Sequence, residues 1–122
     1  MVGKVYIASP YWDDDHFVRY ENVKRQMHIA DKLLAEGFLP FWPLHYFFIE
    51  QHHHREEVEW LAISLQWMRS MDALVRLDGD SKGADREVAF AQDINIPVFF
   101  GVDDLLKNRK EVRQNARSRA HT

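Results

Sequence analysis

Residues 79–91 read GDSKGADREVAFA, and within them Ser81, Gly83 and Glu87 have the spacing of a small anion site with a carboxylate beside it. A hydroxyl at a helix start accepts a bond from a free amide, and the remaining amides suit an anion. Gly83 would let a ligand approach the backbone closely. Glu87 follows Ser81 by six positions, so it falls within about the first two turns of such a helix, at the mouth of the cradle. The positive helix end is expected to keep that carboxylate ionised, as a nucleophile requires. Lys82 and Arg86 are expected to face solvent. Asp85 would oppose a bound phosphate if it pointed inward. A plainer reading stays open, in which Ser81 or Asp80 only caps the helix and Glu87 only complements its dipole. Neither a G-x-G-x-x-G fingerprint nor a G-K-[ST] phosphate loop occurs in the chain.

Other side chains invite similar questions. Arg19 and Asn22 are neighbours on one helix surface, and a guanidinium suits phosphate, although a solvated face explains them equally well. His45 is expected at the crevice, as a substrate contact, an acid/base or a satisfied structural histidine. His52, His53 and His54 form a triplet, but adjacent residues do not share one face, so a polar loop is favoured over a metal site. Asp72 reads as a structural acid. Trp42, Tyr46, Phe47 and Phe48 suggest burial in a core or interface ahead of base stacking.

The elements that would position these residues are legible from periodicity. Lys4–Ser9, 38–43, Asp72–Leu77 and Ile96–Phe100 read as short strands rich in β-branched and aromatic residues. Between the first two, Asp13–Asp15 offer a cap, and Phe17, Tyr20, Val23, Met27, Ala30 and Leu34 recur at helical spacing up to Gly37. Residues 44–54 read as irregular, 56–70 as a helix, 81–93 as a helix and 102 onward as a last helix. Such alternation predicts a doubly wound parallel sheet of about four to five strands, a flavodoxin- or Rossmann-like α/β/α domain. Ligands in these sheets bind outside the carboxyl ends of the strands, which nominates Ser9–Trp12 (Tyr11 included), Pro43–Tyr46, Asp78–Glu87 and Gly101–Asp104.

A chain of 122 residues with 46% hydrophobic content suits a single packed domain rather than a disordered one. The absence of cysteine rules out a disulfide scaffold and thiolate chemistry. No apolar run approaches a membrane span, so a soluble, cytoplasmic protein is expected. Charge is uneven. Residues 107–122 hold Lys107, Arg109, Lys110, Arg113, Arg117 and Arg119 against Glu111, a net +5 that leaves the rest near −8. The expected organisation is a domain over 1–106 and a basic helix or tail over 107–122. A basic tail can touch phosphates, but a solvated, fraying helix is the commoner case, and the acidic body argues against a general nucleic-acid binder.

Taken together, KVYIASPY, the Arg19/Asn22 pair, G-F-x-P-F-x-P-x-H at 37–45 and S-x-G-x-x-x-E-x-x-x-A at 81–91 resemble the nucleoside 2-deoxyribosyltransferase-like superfamily. The likeness spans about residues 4–101 and includes the 2′-deoxynucleoside 5′-monophosphate N-glycosidases and small uncharacterised relatives. It implies that Glu87 is the nucleophile, attacking the anomeric carbon to form a glycosyl-enzyme intermediate that water or a second base resolves. It further implies that Tyr6 bonds the nucleophile, that Ser9 and Ser81 hold the sugar-phosphate end, and that a serine at 81 favours a 5′-phosphorylated substrate. No cofactor is needed for that reaction. The implied partner is a small nucleoside or nucleotide, and the implied assembly is a homo-oligomer, a dimer or tetramer. One departure stands out, because a family aspartate falls at Ser64. The alternative is a nucleotide-binding or sensing module that keeps the pocket without turnover.

Overall fold

A computed structural model describes residues 2–120, so the last two residues of the basic segment lie outside the described residues. Strands β1 (Lys4–Ala8), β2 (Leu39–Phe41), β3 (Ala73–Arg76) and β4 (Val98–Phe100) form one parallel sheet in the order β2-β1-β3-β4. Helices α1 (His16–Ala35), α2 (Phe47–His52), α3 (Glu57–Met68), α4 (Lys82–Asp93), α5 (Val102–Lys107) and α6 (Arg109–Ala120) join and follow the strands. This is the three-layer α/β/α architecture that the alternating pattern predicts.

Strand alternation divides the core in two. On β1, Val5 and Ile7 join Ala30, Leu33, Val75, Leu105 and Val112 on one face of the sheet. Tyr6 and Ala8 point to the other face, against Met68, Leu74, Ala84 and Ala91 from α3, β3 and α4. These four of the five β1 side chains are fully buried, and Lys4 is exposed. The chain leaves β1 toward β2 on one side and returns to β3 on the other. The loops after β1 and β3 therefore diverge and open a crevice at their carboxyl ends.

Three segments differ from the sequence reading. On α1 the inward stripe is Gln26, Ala30 and Leu33, whereas Phe17, Tyr20, Met27 and Leu34 are exposed. A polar residue takes the inward position because its amide finds partners there, described below. Residues 44–54 are mostly helical rather than irregular. Pro43 opens a 3-10 turn over Pro43–Tyr46, and buried Phe47 anchors α2 behind it. The last helix breaks at Asn108, whose side-chain amide donates to the Asp104 carbonyl at 2.8 Å. Beyond the break α6 docks on the body, with Val112 and Ala116 buried, instead of fraying into solvent. No described helix is long and apolar enough to cross a membrane.

Candidate active-site cleft

The strongest constraint on the site is the parity of β1. Because Tyr6 faces the α4 side of the sheet, its hydroxyl meets the inward face of α4. There it donates to the Oε2 of Glu87, whose residue is 9% exposed. Ala84, Glu87 and Ala91 form the buried stripe of that helix, a spacing of three and four residues that keeps them on one side. Tyr6 is thus a backstop beneath Glu87, and Glu87 itself lies on the wall of a cleft of about 970 Å³.

The start of α4 is built by its cap. Ser81 is extended, and its hydroxyl accepts from the Ala84 amide at 3.0 Å. Gly79 before it has φ +115, and a Cβ there would come within 2.8 Å of Pro10, so only glycine lets the β3–α4 loop pass the β1 loop. Asp85 turns away to a 3.1 Å ion pair with Arg76 and leaves the cleft wall free of its charge. Lys82 and Arg86 are exposed, as expected, and both also line the cleft. Arg86 reaches Glu57 on α3 at 3.6 Å.

Burial decides the charge state of Glu87. Desolvation pushes its carboxyl up to about 8, so the free protein holds it protonated at neutral pH. This overturns the expectation of a carboxylate kept ionised by the helix end. Glu87 sits in the second turn of α4, where the favourable field of the terminal amides has largely decayed.

The β1 loop forms a second wall. Ser9 is buried, and its hydroxyl accepts from the Gln26 amide at 2.8 Å. The same amide approaches the Ile7 carbonyl, and the Gln26 carbonyl accepts from Leu44 N at 2.9 Å. One side chain therefore ties the end of β1 to the turn after β2. The sequence reading missed it; its signal is a glutamine in register with Ala30 and Leu33. Arg19 lines the cleft, donates to the Asp13 carbonyl at 2.6 Å and lies 4.6 Å over the Trp12 ring. Burial raises the pKa of the Tyr11 phenol, Arg19 offsets part of that rise, and Glu50 adds to it.

Two nominated residues take supporting places. Asn22 donates to the Tyr11 carbonyl at 3.0 Å and shapes the loop, without lining the cleft. His45 is exposed and outside the cleft wall, because the 3-10 turn directs its Nδ1 back to the Trp42 carbonyl at 2.8 Å. The third wall comes from α2, α3 and the loop between them, where Glu50, His54, Trp60 and Ser64 line the cleft; of these, only the position of Ser64 was expected at the site. Among the described residues, no group of three or more His, Asp or Glu is arranged to hold a metal ion.

Comparison with known proteins adds a fold and a family. A 2-deoxyribosyltransferase from the psychrotolerant bacterium Bacillus psychrosaccharolyticus superposes with a TM-score of 0.55 at 21% identity, covering 80% of this chain and 70% of that one. That protein is described as a biocatalyst for the synthesis of antiviral and antitumoral nucleosides. At this identity the two share the fold. No curated protein matches the chain. Residues 3–101 match the family described as a domain of unknown function, DUF7768, and the chain belongs to that family.

Proposed function

We propose that this protein cleaves or transfers at the N-glycosidic bond of a 2′-deoxynucleoside, preferentially its 5′-monophosphate, with Glu87 as the nucleophile. The observation that carries the reading is a single buried carboxyl on a cleft wall, bonded from beneath by Tyr6. A cleft of about 970 Å³ suits a mononucleotide. Lys82, Arg86 and the capped start of α4 favour a phosphate, and Ser9 and Arg19 line the same cleft as further groups for the sugar-phosphate end. The fold shared with a deoxyribosyltransferase is compatible with this chemistry.

The test is incubation with a panel of 2′-deoxynucleosides and their 5′-monophosphates, with free base followed by chromatography. Wild type is expected to release base, and Glu87→Ala to lose it by at least about a thousandfold, as removal of a covalent nucleophile does. Because the free protein holds the Glu87 proton up to about 8, kcat/KM should climb close to tenfold per pH unit below that value. Tight nucleotide binding without base release would favour the second reading, a nucleotide-binding module. Ser64, a non-ionisable group on the α3 wall of the same cleft, is the observation on that side.

Gly83 provides an independent check. Its place in α4 has an ordinary helical backbone, and the nearest atom to an added Cβ is Ser81 Oγ at 3.9 Å. The fold does not require a glycine there. Gly83→Ala should stabilise the protein by roughly 0.5–1 kcal/mol in urea denaturation, since alanine favours the helix. If a phosphate sits against this turn, the same substitution weakens nucleotide binding several-fold in calorimetry. Unchanged affinity would remove the phosphate from this end of the cleft.

A further inference from the structure

The α2–α3 wall carries a hydrogen-bonded cluster that lines the cleft. Glu50 Oε2 accepts from the Trp60 indole at 2.7 Å and from the Arg55 amide at 3.1 Å, while Oε1 accepts from His54 Nδ1. Partial desolvation acts to raise the Glu50 carboxyl, but these bonds outweigh it and hold the group below its usual range. Glu50 is therefore a saturated carboxylate, an orienting group rather than a proton source. Its bond to Nδ1 fixes the imidazole and leaves Nε2 as the free face. Nε2 lies 3.5 Å from Glu56, whose side chain is 76% exposed and easily displaced.

Cleavage of an N-glycosidic bond needs a proton for the departing base as well as a nucleophile for the sugar. Among the described residues lining the cleft, His54 is the one histidine and so the one side chain whose ordinary range spans neutral pH. We infer that His54, oriented by Glu50, is the acid that protonates the leaving nucleobase, a role that rests on the N-glycosidase reading above. In the first step the Glu87 carboxylate forms a bond to the anomeric carbon as the carbon–nitrogen bond breaks. The bonding pair leaves with the base, which takes the Nε2 proton of His54. In the second, water adds its oxygen to the anomeric carbon and its proton to the neutral His54. The ester bond to Glu87 breaks at the same time and returns the carboxylate. The Glu50 bond, the largest influence, and the nearby Glu50 and Glu56 charges raise the His54 pKa, which keeps the donor loaded at higher pH. The groups facing it are Glu50 from α2, Glu56 before α3 and the neighbouring Arg55, whose guanidinium lies over Trp60.

The test compares two leaving groups on the full-length chain. One substrate is the natural 2′-deoxynucleoside 5′-monophosphate; the other is 4-nitrophenyl 2-deoxyriboside 5-phosphate, whose phenolate leaves without a proton. His54→Gln should lower kcat on the nucleotide by about 10²–10⁴-fold and nitrophenolate release by less than about threefold. Glu50→Gln should move the limb of the wild-type nucleotide profile that reports His54 to lower pH and leave the nitrophenyl profile in place, a change that a merely structural role does not produce. His54 is largely exposed, so its variant should fold, which thermal unfolding checks. An equal loss on both substrates, or no loss on either, overturns the assignment while the N-glycosidase reading stands. Wild-type protein that releases neither leaving group overturns both.

Discussion

Glu87→Gln should be more stable than wild type by on the order of 3 kcal/mol at pH 7, and it should lose base release at the same time. The carboxyl is pushed from an ordinary 4.5 up to about 8 by desolvation. In the unfolded chain it ionises near 4.5, whereas in the folded protein it keeps its proton until about 8. Across that window the folded state binds more protons than the unfolded one, so stability falls as pH rises. The loss is absent below the unfolded pKa, grows between the two values and is complete above the folded one. A glutamine is neutral throughout, fits the same space and keeps an acceptor for Tyr6. The difference between variant and wild type should therefore be small at pH 4, large at pH 7 and largest near pH 9. Urea titrations at the three pH values measure it. Equal midpoints throughout, or a wild type that gains stability toward pH 8, would show that Glu87 is not a buried neutral acid. A stability gain coupled to loss of turnover is the behaviour of a site held in strain for function.

That charge state shows where the sequence stops being informative. The meeting of Tyr6 with Glu87 was implied by the family resemblance alone; in the structure, period-two alternation on β1 and the 84–87–91 stripe on α4 each fix a face. Parallel topology then brings the two faces together. The ionisation of Glu87 was not legible, because helix-end chemistry depends on position alone but desolvation depends on what packs around the group. Gln26 was missed for a related reason. A buried amide is acceptable only when its partners, here the Ser9 hydroxyl and the Leu44 amide, come from distant loops. The wall built from α2 was missed because short helices carry too few turns to show periodicity. His54 and Glu50 are brought together by a single turn of chain, whereas the fold alone places Trp60 against them.

Truncation after Leu106 should largely unfold the protein rather than merely remove a basic arm. Val112 is fully buried among residues of β1, β3 and α1, and a Cβ at Gly3 would come within 2.6 Å of its Cγ1, so α6 lies close against the N-terminal strand. The Asn115 amide donates to the Asp72 carbonyl at 2.8 Å. The Asp72 carboxylate, 3% exposed, accepts from Lys4 N at 2.8 Å and pairs with Arg119 Nε at 3.4 Å. Removing α6 uncovers an apolar surface and takes away the counterion of a buried carboxylate. The combined loss is on the order of 5 kcal/mol, comparable with the whole stability of many domains. Circular dichroism of the shortened chain should show lost cooperativity or a midpoint lower by more than about 10 °C. A control separates structure from charge. Arg113 and Arg117 are exposed one turn apart on the outer face of α6, so Arg113→Glu with Arg117→Glu should leave the midpoint within about 3 °C. If the basic face serves nucleic acid, salt-dependent DNA binding vanishes both on truncation after Leu106 and in the double variant. The buried side of α6 makes unfolding on truncation the expected outcome, because the helix contributes core residues before it contributes charge.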